Sequence, residues 1–281
     1  MDARIEREFY NNSKIRFEKY FIDNKLHRED GPAVIHYYDN GNVKLEHYYV
    51  NNKRHRKDGP STIRYYKNGN IKFERYYLND KLHREDKPAF IEYYDNGNIK
   101  NETYVVHYNY HRIDGPAVIH YYKNGNIQLE NFYVNDQYHR EDGPSQIEYY
   151  KNGNVQFEQY CINNERHRDN GPAYIEYDEN GNIQLERYYV NGKRHRTNGL
   201  AYIKYDKNNN IAFQRYYIND TQIYLQHYQN VTYNQLINLI NKCEDINDLL
   251  KLKLITNIKV TNEKEELLEL IDSKIMMLKL V

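Results

Sequence analysis

The sequence predicts a mainly β chain, an elongated single-sheet array of antiparallel β-hairpins with a 28-residue period, closed by a small C-terminal α-helical cap. Three observations carry this prediction. His-Arg recurs at His27, His55, His83, His111, His139, His167 and His195, always 28 residues apart. An Asn-Gly pair keeps the same interval through Gly41, Gly69, Gly97, Gly125, Gly153 and Gly181, with Asn209 in the seventh place. Each unit also holds two runs in which fixed and variable positions alternate, the period of a β-strand with one packed face. A spacing kept without insertion to about residue 220 indicates stacked units that present the same geometry to their neighbours.

The elements follow in order. A half-unit, Phe9 to Tyr20, opens the array, with Ser13 in the glycine column. The unit from Gly31 to Asp58 stands for the others. Its first run ends in Tyr37-Tyr38, and the Ile35 and Tyr37 columns are Ile and Tyr in all seven units. The Val34 and His36 columns vary freely. The second run is Val43 to Val50. A two-residue Asn-Gly loop would set Tyr37 opposite Lys44. A three-residue loop, Asp39 to Gly41, pairs Tyr37 with Val43 and Ile35 with Leu45, so the apolar columns share a face. The prediction is a type I turn with Gly41 in the left-handed region. A connector follows, with a turn at Asn51-Asn52, then Arg54-His55-Arg56 and Asp58-Gly59-Pro60. Pro60 cannot donate to a ladder and belongs at a strand start. Lys87 replaces the glycine in the third unit and Leu200 the proline in the seventh, so those connectors should be the most distorted. Asn101 and Val105 break an apolar and an aromatic column, which marks the fourth hairpin as a soft spot or bend.

After about residue 228 the pattern becomes helical. Thr232 with Gln235 is a capping box before Leu236, Ile237, Leu239 and Ile240. Further apolar segments run from Ile246 to Ile255 and onward from Thr261, giving two or three helices. The domain reading is residues 1–222 for the seven-unit array with its half-repeat and 229–281 for the helical segment.

Composition narrows the function. Apolar residues are 39 %, charged residues 28 % and mean hydropathy is -1.06, too polar for a domain around one large core. Aromatics at 15 %, with 33 Tyr and no Trp, argue against disorder. Lys+Arg and Asp+Glu both total 40, so no basic surplus favours nucleic acid or a polybasic membrane anchor. The first residues show no signal-peptide pattern, and no apolar run is long enough to span a bilayer. Two unpatterned cysteines, Cys161 and Cys243, point to a reducing intracellular, cytoplasmic setting.

The unit reading Tyr37-Tyr38, Asn40-Gly41, Glu46, Tyr48-Tyr49, with its copies over residues 9–220, resembles the MORN repeat, in particular its variant with an aromatic pair before the Asn-Gly turn. The usual unit is about five residues shorter, and the His-Arg-x-Asp-Gly-Pro segment holds the excess. Arrays of this period and Tyr/Asn/Lys bias also look like repeat proteins of giant amoeba viruses, in which case the setting is the host cytoplasm. The resemblance implies curled antiparallel sheets and roles as scaffolds, dimerisation modules, membrane-associated adaptors or antitoxin-like binders. It supplies no functional residues.

Each candidate group has a structural alternative. Equivalent histidines lie about 10 Å apart, two strands at about 4.8 Å each, too far to share a zinc ion. The alternative has each ring under its connector, bonded to a backbone group, so no metal or cofactor is assigned. Arg28, Arg56, Arg84, Arg112, Arg140, Arg168 and Arg196 form an invariant column, read as structural: each bridges a loop Asp and a strand Glu of the Glu46 column. Tyr37 and Tyr49 fall with the core. Tyr38, Tyr48, Tyr66, Tyr76, Tyr94, Tyr104 and Tyr122 fall on the opposite face and form the candidate protein-interaction row. No nucleophile elbow, phosphate loop or Cys-His pair stands outside the repeat, which argues against an enzyme. The reading is a non-enzymatic repeat scaffold for protein partners, itself included. The alternatives are a MORN-type peripheral membrane adaptor and an antitoxin- or immunity-like binder.

Overall fold

The computed structural model describes residues 2–224, 231–259 and 264–279. Among the described residues the fold is mainly β, antiparallel hairpins followed by three helices. The chain packs as two units, one of residues 1–140 with 145–154, the other of 141–144 with 155–281. The change of pattern placed near residue 228, and Thr261 at the start of the last segment, lie outside the described residues.

In the first unit the long strands pair antiparallel in chain order: Ala3–Phe9, Ile15–Ile22, Val34–Tyr37, Val43–His47, Thr62–Tyr65, Ile71–Arg75 and on to Gln146–Tyr149. The opening strand starts at Ala3, before the half-unit legible in the sequence. Arg7 stands there in the isoleucine column, which hides the pattern, and it closes on Glu18 at 2.6 Å. The turn is as predicted: Gly41 has φ 96° and donates its N–H to Tyr38 O at 2.9 Å, and Tyr37 lies opposite Val43. Ser13 and Asn209 take the same left-handed conformation in their units, at φ 64° and 60°.

Beyond the turn the predicted register fails. Lys44 is an extra residue in a β-bulge, so His36 faces Leu45 and Ile35 faces Glu46. One residue of slip exchanges the faces of everything that follows. One face therefore carries an alternating row, Glu18–Ile35–Glu46–Ile63–Glu74–Ile91. The isoleucines of this row are buried. The other face carries Phe17–His36–Leu45–Arg64–Phe73–Glu92 and Lys19–Val34–His47–Thr62–Arg75–Phe90.

Each connector contains a two-residue-strand hairpin that the sequence did not announce. Tyr49–Val50 pairs with Lys53–Arg54 around Asn51 and Asn52 at φ 50° and 66°, a turn with two left-handed residues. Successive small hairpins are stitched together, as Asp80 N donates to Arg54 O at 2.9 Å and Arg54 N to Asp80 Oδ1 at 3.1 Å. The connectors with Lys87 and Leu200 are not distorted. Arg84 still reaches Pro88 O at 3.2 Å, and Arg196 reaches Leu200 O at 3.0 Å. The fourth hairpin also keeps the common register, with Glu92 opposite Asn101 and Val105 buried, so it shows no bend.

The second unit repeats this pattern from Val155–Gln159 to Ile211–Ile218 and ends in the short strand Thr221–Ile223. The helices α1 (Tyr233–Lys242), α2 (Ile246–Lys259) and α3 (Lys264–Lys279) follow. Thr232 and Gln235 form the capping box at the start of α1. Leu236, Ile240, Leu249, Leu252, Ile255, Leu267, Ile271 and Ile275 make the helical core. A second cluster joins Leu254 of α2 to Ile218 and Ile223 of the last hairpin.

Candidate interaction surface

The invariant face is occupied by contacts within the chain. Tyr37 Oη donates to Glu18 Oε2 at 2.8 Å, Tyr65 to Glu46 at 2.9 Å, Tyr93 to Glu74 at 2.9 Å and Tyr121 to Glu102 at 2.7 Å. The second unit continues this with Tyr177 to Glu158 at 3.1 Å and Tyr205 to Glu186 at 2.8 Å. Each bond spans 19 residues and ties one unit to the one before it. Burial raises the Tyr37 phenol pKa, and the Glu18 carboxylate beside it raises it further. Burial pushes Glu18 up, but hydrogen bonds from Arg7 and Tyr37 outweigh that and hold it below the usual carboxylate value. Tyr37 is therefore a polar rung, half-buried, rather than apolar core.

The tyrosines of the candidate interaction row divide into two structural columns. Tyr38 donates to Tyr65 O at 2.8 Å, Tyr66 to Tyr93 O at 2.9 Å, Tyr94 to Tyr121 O at 2.8 Å and Tyr122 to Tyr149 O at 2.8 Å, so each clamps the next turn. Where this column reads Asp178 and Asp206, the carboxylate accepts from its own loop, Asn180 N and Asn208 N. Tyr48, Tyr76 and Tyr104 lie under guanidinium groups: Arg56 sits 4.0 Å from the Tyr48 centroid, Arg84 3.8 Å from Tyr76 and Arg112 4.1 Å from Tyr104. Arg28 covers Tyr20 at 4.1 Å, Arg140 Phe132 at 4.1 Å, Arg168 Tyr160 at 3.8 Å and Arg196 Tyr188 at 3.9 Å.

The arginine column thus works within its own unit, but with other partners than the spacing suggested. Arg28 meets Asp30 at 2.8 Å and Arg112 meets Asp114 at 3.0 Å, the loop contacts expected. The strand glutamate is taken by tyrosine, and the guanidinium stacks on an aromatic ring and donates to the connector carbonyl, as Arg112 does to Pro116 O at 3.4 Å. Where the connector carries a glycine, as at Gly31, Gly59, Gly115, Gly171 and Gly199, the guanidinium lies against it. A Cβ at Gly115 would stand 2.9 Å from Arg112 Cζ.

The histidines bond as the sequence suggested, to a backbone N–H, with a side chain added. Asn51 N donates to His27 Nδ1 at 3.4 Å, and the same nitrogen lies 3.2 Å from Asn51 Oδ1. The third unit departs from this: His107 stands in the asparagine column, its ring 5.2 Å from that of His83, and His83 Nδ1 is buried without a partner. Among the described residues no three of His, Cys, Asp and Glu converge as metal ligands. Open clefts of about 440 Å³ and 620 Å³ recur between successive connectors, lined by the Arg, Asp, Gly, Pro and Tyr columns.

What differs from unit to unit lies on the other face. In the first unit it holds Phe17, His36, Leu45, His47, Arg64, Phe73, Arg75 and Phe90. In the second it holds Phe157, Tyr174, Leu185, Arg187, Tyr202 and Phe213. Phe157 stacks on Tyr174 at 5.8 Å, and Phe213 is 42 % exposed. The sequence had shown that these columns vary, but the unseen bulge had put Leu45 with the core.

The family comparison agrees with this architecture. Five stretches, residues 33–51, 62–84, 89–107, 117–135 and 173–191, match the model of the MORN repeat variant. No curated protein matches the chain. One similar solved structure is the crystal structure of TcdB2-TccC3, at 11% identity over 76% of this chain, with a TM-score of 0.13. This chain spans 13% of that one, and at such a score the likeness carries no argument. Neither match speaks to the viral likeness. Among the described residues no helix is long and apolar enough to cross a membrane. On the residues matched, the chain is similar to the MORN repeat variant.

Proposed function

We propose that the chain is a non-enzymatic scaffold that binds protein partners through the variable face of its sheet. One observation supports this reading above the others. Side chains that hold the repeats together recur from unit to unit, as Tyr to Glu and Arg on aromatic on one face and Tyr to carbonyl at the turns. Side chains on the opposite face change from unit to unit, and the ladder does not use them. A rigid frame with a row of changeable aromatic, aliphatic and cationic residues suits protein recognition. The tyrosine row is less suited to that role, because its hydroxyls and rings are already engaged. An intracellular setting belongs to the same reading, since the two cysteines, Cys161 and Cys243, follow no disulfide or zinc pattern.

Affinity capture with the full chain tests it. Two variants are compared with the parent, Leu45→Ser with Phe73→Ser, and Phe157→Ser with Leu185→Ser. Partners should be lost from at least one variant while both keep the parent's circular dichroism. Retention of the same partners by both variants rejects the variable face as the binding surface.

A further inference from the structure

The formal charge of the chain is zero, but the variable face of the first unit is not neutral. Three rows cross it. The bulge row carries Arg16, Lys44 and Lys72, one on every second strand. The next row runs Phe17–His36–Leu45–Arg64–Phe73, and the third runs Lys19–Val34–His47–Thr62–Arg75. Six cations and two histidines occupy this stretch. The acidic residues between Arg16 and Arg75 lie elsewhere: Glu18, Glu46 and Glu74 are on the invariant face, and Asp23, Glu29, Asp30, Asp39 and Asp58 are in turns and connectors. The bordering carboxylates are already matched, Glu8 by Arg16 and Glu92 by Lys100.

The inner cations lean on rings instead of carboxylates. Lys19 lies 4.9 Å from the Phe17 centroid, Lys44 5.7 Å from Tyr38, Lys72 5.5 Å from Tyr66 and Arg75 4.8 Å from Phe73. Their fields meet at the middle of the patch. Burial lowers the His36 pKa, and the charges of Lys44, Lys19 and Arg16 lower it further.

We propose that this patch docks an acidic polypeptide segment, extended across the strands, with a carboxylate at about every third residue. The spacing of the bulge row argues for it. Two strands advance about 9.6 Å, and one turn of a polyproline II chain advances about 9.3 Å in three residues, so successive carboxylates fall on Lys44 and Lys72, with Arg16, already paired with Glu8, at the edge of the row. Single-stranded nucleic acid fits less well because it needs open rings for its bases, and here Lys19 covers Phe17 while Arg75 covers Phe73 and Phe90. A lipid surface fits less well because Val34 and Thr62 are buried and the apolar side chains of the patch do not protrude for insertion.

This inference rests on the scaffold reading and names its partner chemistry. The test is fluorescence anisotropy of the full chain with a labelled peptide of Pro-Pro-Glu repeats. A Pro-Pro-Gln peptide, single-stranded oligouridine and phosphatidylserine vesicles serve as competing probes. Binding should be specific to the Glu peptide and weaken with salt. It should fall about tenfold or more in Lys44→Gln with Lys72→Gln, and again in Arg64→Gln, with no change in Lys207→Gln. The proposal is overturned by no binding, by equal binding to the Gln peptide, by preference for oligouridine or vesicles, or by undiminished binding in the Lys44/Lys72 variant. If the peptide fails while captured partners are still lost with the variable face, acidic docking falls and the scaffold stands. If both fail, both are wrong.

Discussion

One hydroxyl in each unit reaches a glutamate of the unit before it, and its share of the coupling can be measured singly. Tyr93 Oη donates to Glu74, a charge-assisted bond on a half-buried face. Tyr93→Phe keeps the ring and removes the donor, so the cost should be about 1.5–3 kcal/mol, the range for bonds to charged groups. Chemical denaturation measures this, and a loss near zero would mean water replaces the hydroxyl. His107 offers the reverse experiment. His107→Asn restores the partner that other units give to the histidine nitrogen and that His83 Nδ1 lacks. It should stabilise by about 1 kcal/mol, the net worth of one such bond. A variant that melts no higher than the parent would argue against this pairing. Acidification is the third test at this scale. Burial holds the His47 imidazole down to about 4 from its ordinary 6.5, with nearby His36, Arg54 and Arg75 adding to the effect. Between those values the unfolded chain takes up the proton first, so stability is whole above about pH 6.5 and is lost as pH falls toward 4. Urea midpoints from pH 7 to pH 4.5 should fall, and less steeply in His47→Gln. Equal slopes in both proteins would show that His47 does not titrate as its burial demands.

At the scale of the hairpin and connector, periodicity was readable and pairing was not. The 28-residue interval located every turn, and parity correctly chose the three-residue loop that sets Tyr37 opposite Val43. It could not foresee the extra residue at Lys44, because a bulge leaves no composition signal and reverses the faces of all later residues. Several errors follow from that one residue: Leu45 and Tyr49 were put with the core, and Glu46 was offered to arginine instead of to Tyr65. The small hairpins were missed for a different reason, that a strand of two residues is too short to show a period. The partners of the arginine column were not legible, since stacking on Tyr104 and donation to Pro116 O depend on the connector's path. Arg112→Ala removes that stack, the Asp114 contact and the carbonyl bond together. A loss of about 1–3 kcal/mol is expected from the stack and from the Pro116 carbonyl left without its donor, the exposed Asp114 contact adding little. In a stack coupled through nearest neighbours the damage stays local. Hydrogen exchange should quicken around residues 85–140 and stay unchanged over residues 20–60. Loss of protection throughout would mean that the units unfold as one.

At the scale of the whole molecule, a repeat stack must end, and an open last hairpin would leave apolar side chains and unpaired backbone groups to water. In the second unit the last hairpin buries Ile218 to 1 % and Ile223 to 7 % exposure, and Leu254 of α2 is the buried residue packed with them. Tyr216, Leu250 and Ile258 extend this contact. Polar bonds hold the same junction: Asn257 Nδ2 donates to Thr197 O at 2.9 Å and Asn219 Nδ2 to Asn247 Oδ1 at 2.5 Å. The helices also share a core of their own around Leu236, Ile255 and Ile271. That core is small for an independent domain, because a segment of this length buries too little surface to offset its chain entropy. The helices and the last hairpin should therefore fold together. A chain ended after Tyr224 exposes Ile218 and Ile223 and should aggregate on a sizing column at concentrations where the full chain does not. Leu254→Asp, which places a charge in the junction and leaves the rest of α2 unchanged, should do the same while helix content falls. A truncated chain that stays monodisperse and melts cooperatively at the parent's temperature would show that the helices do not cap the array, and would make them a module with a separate use.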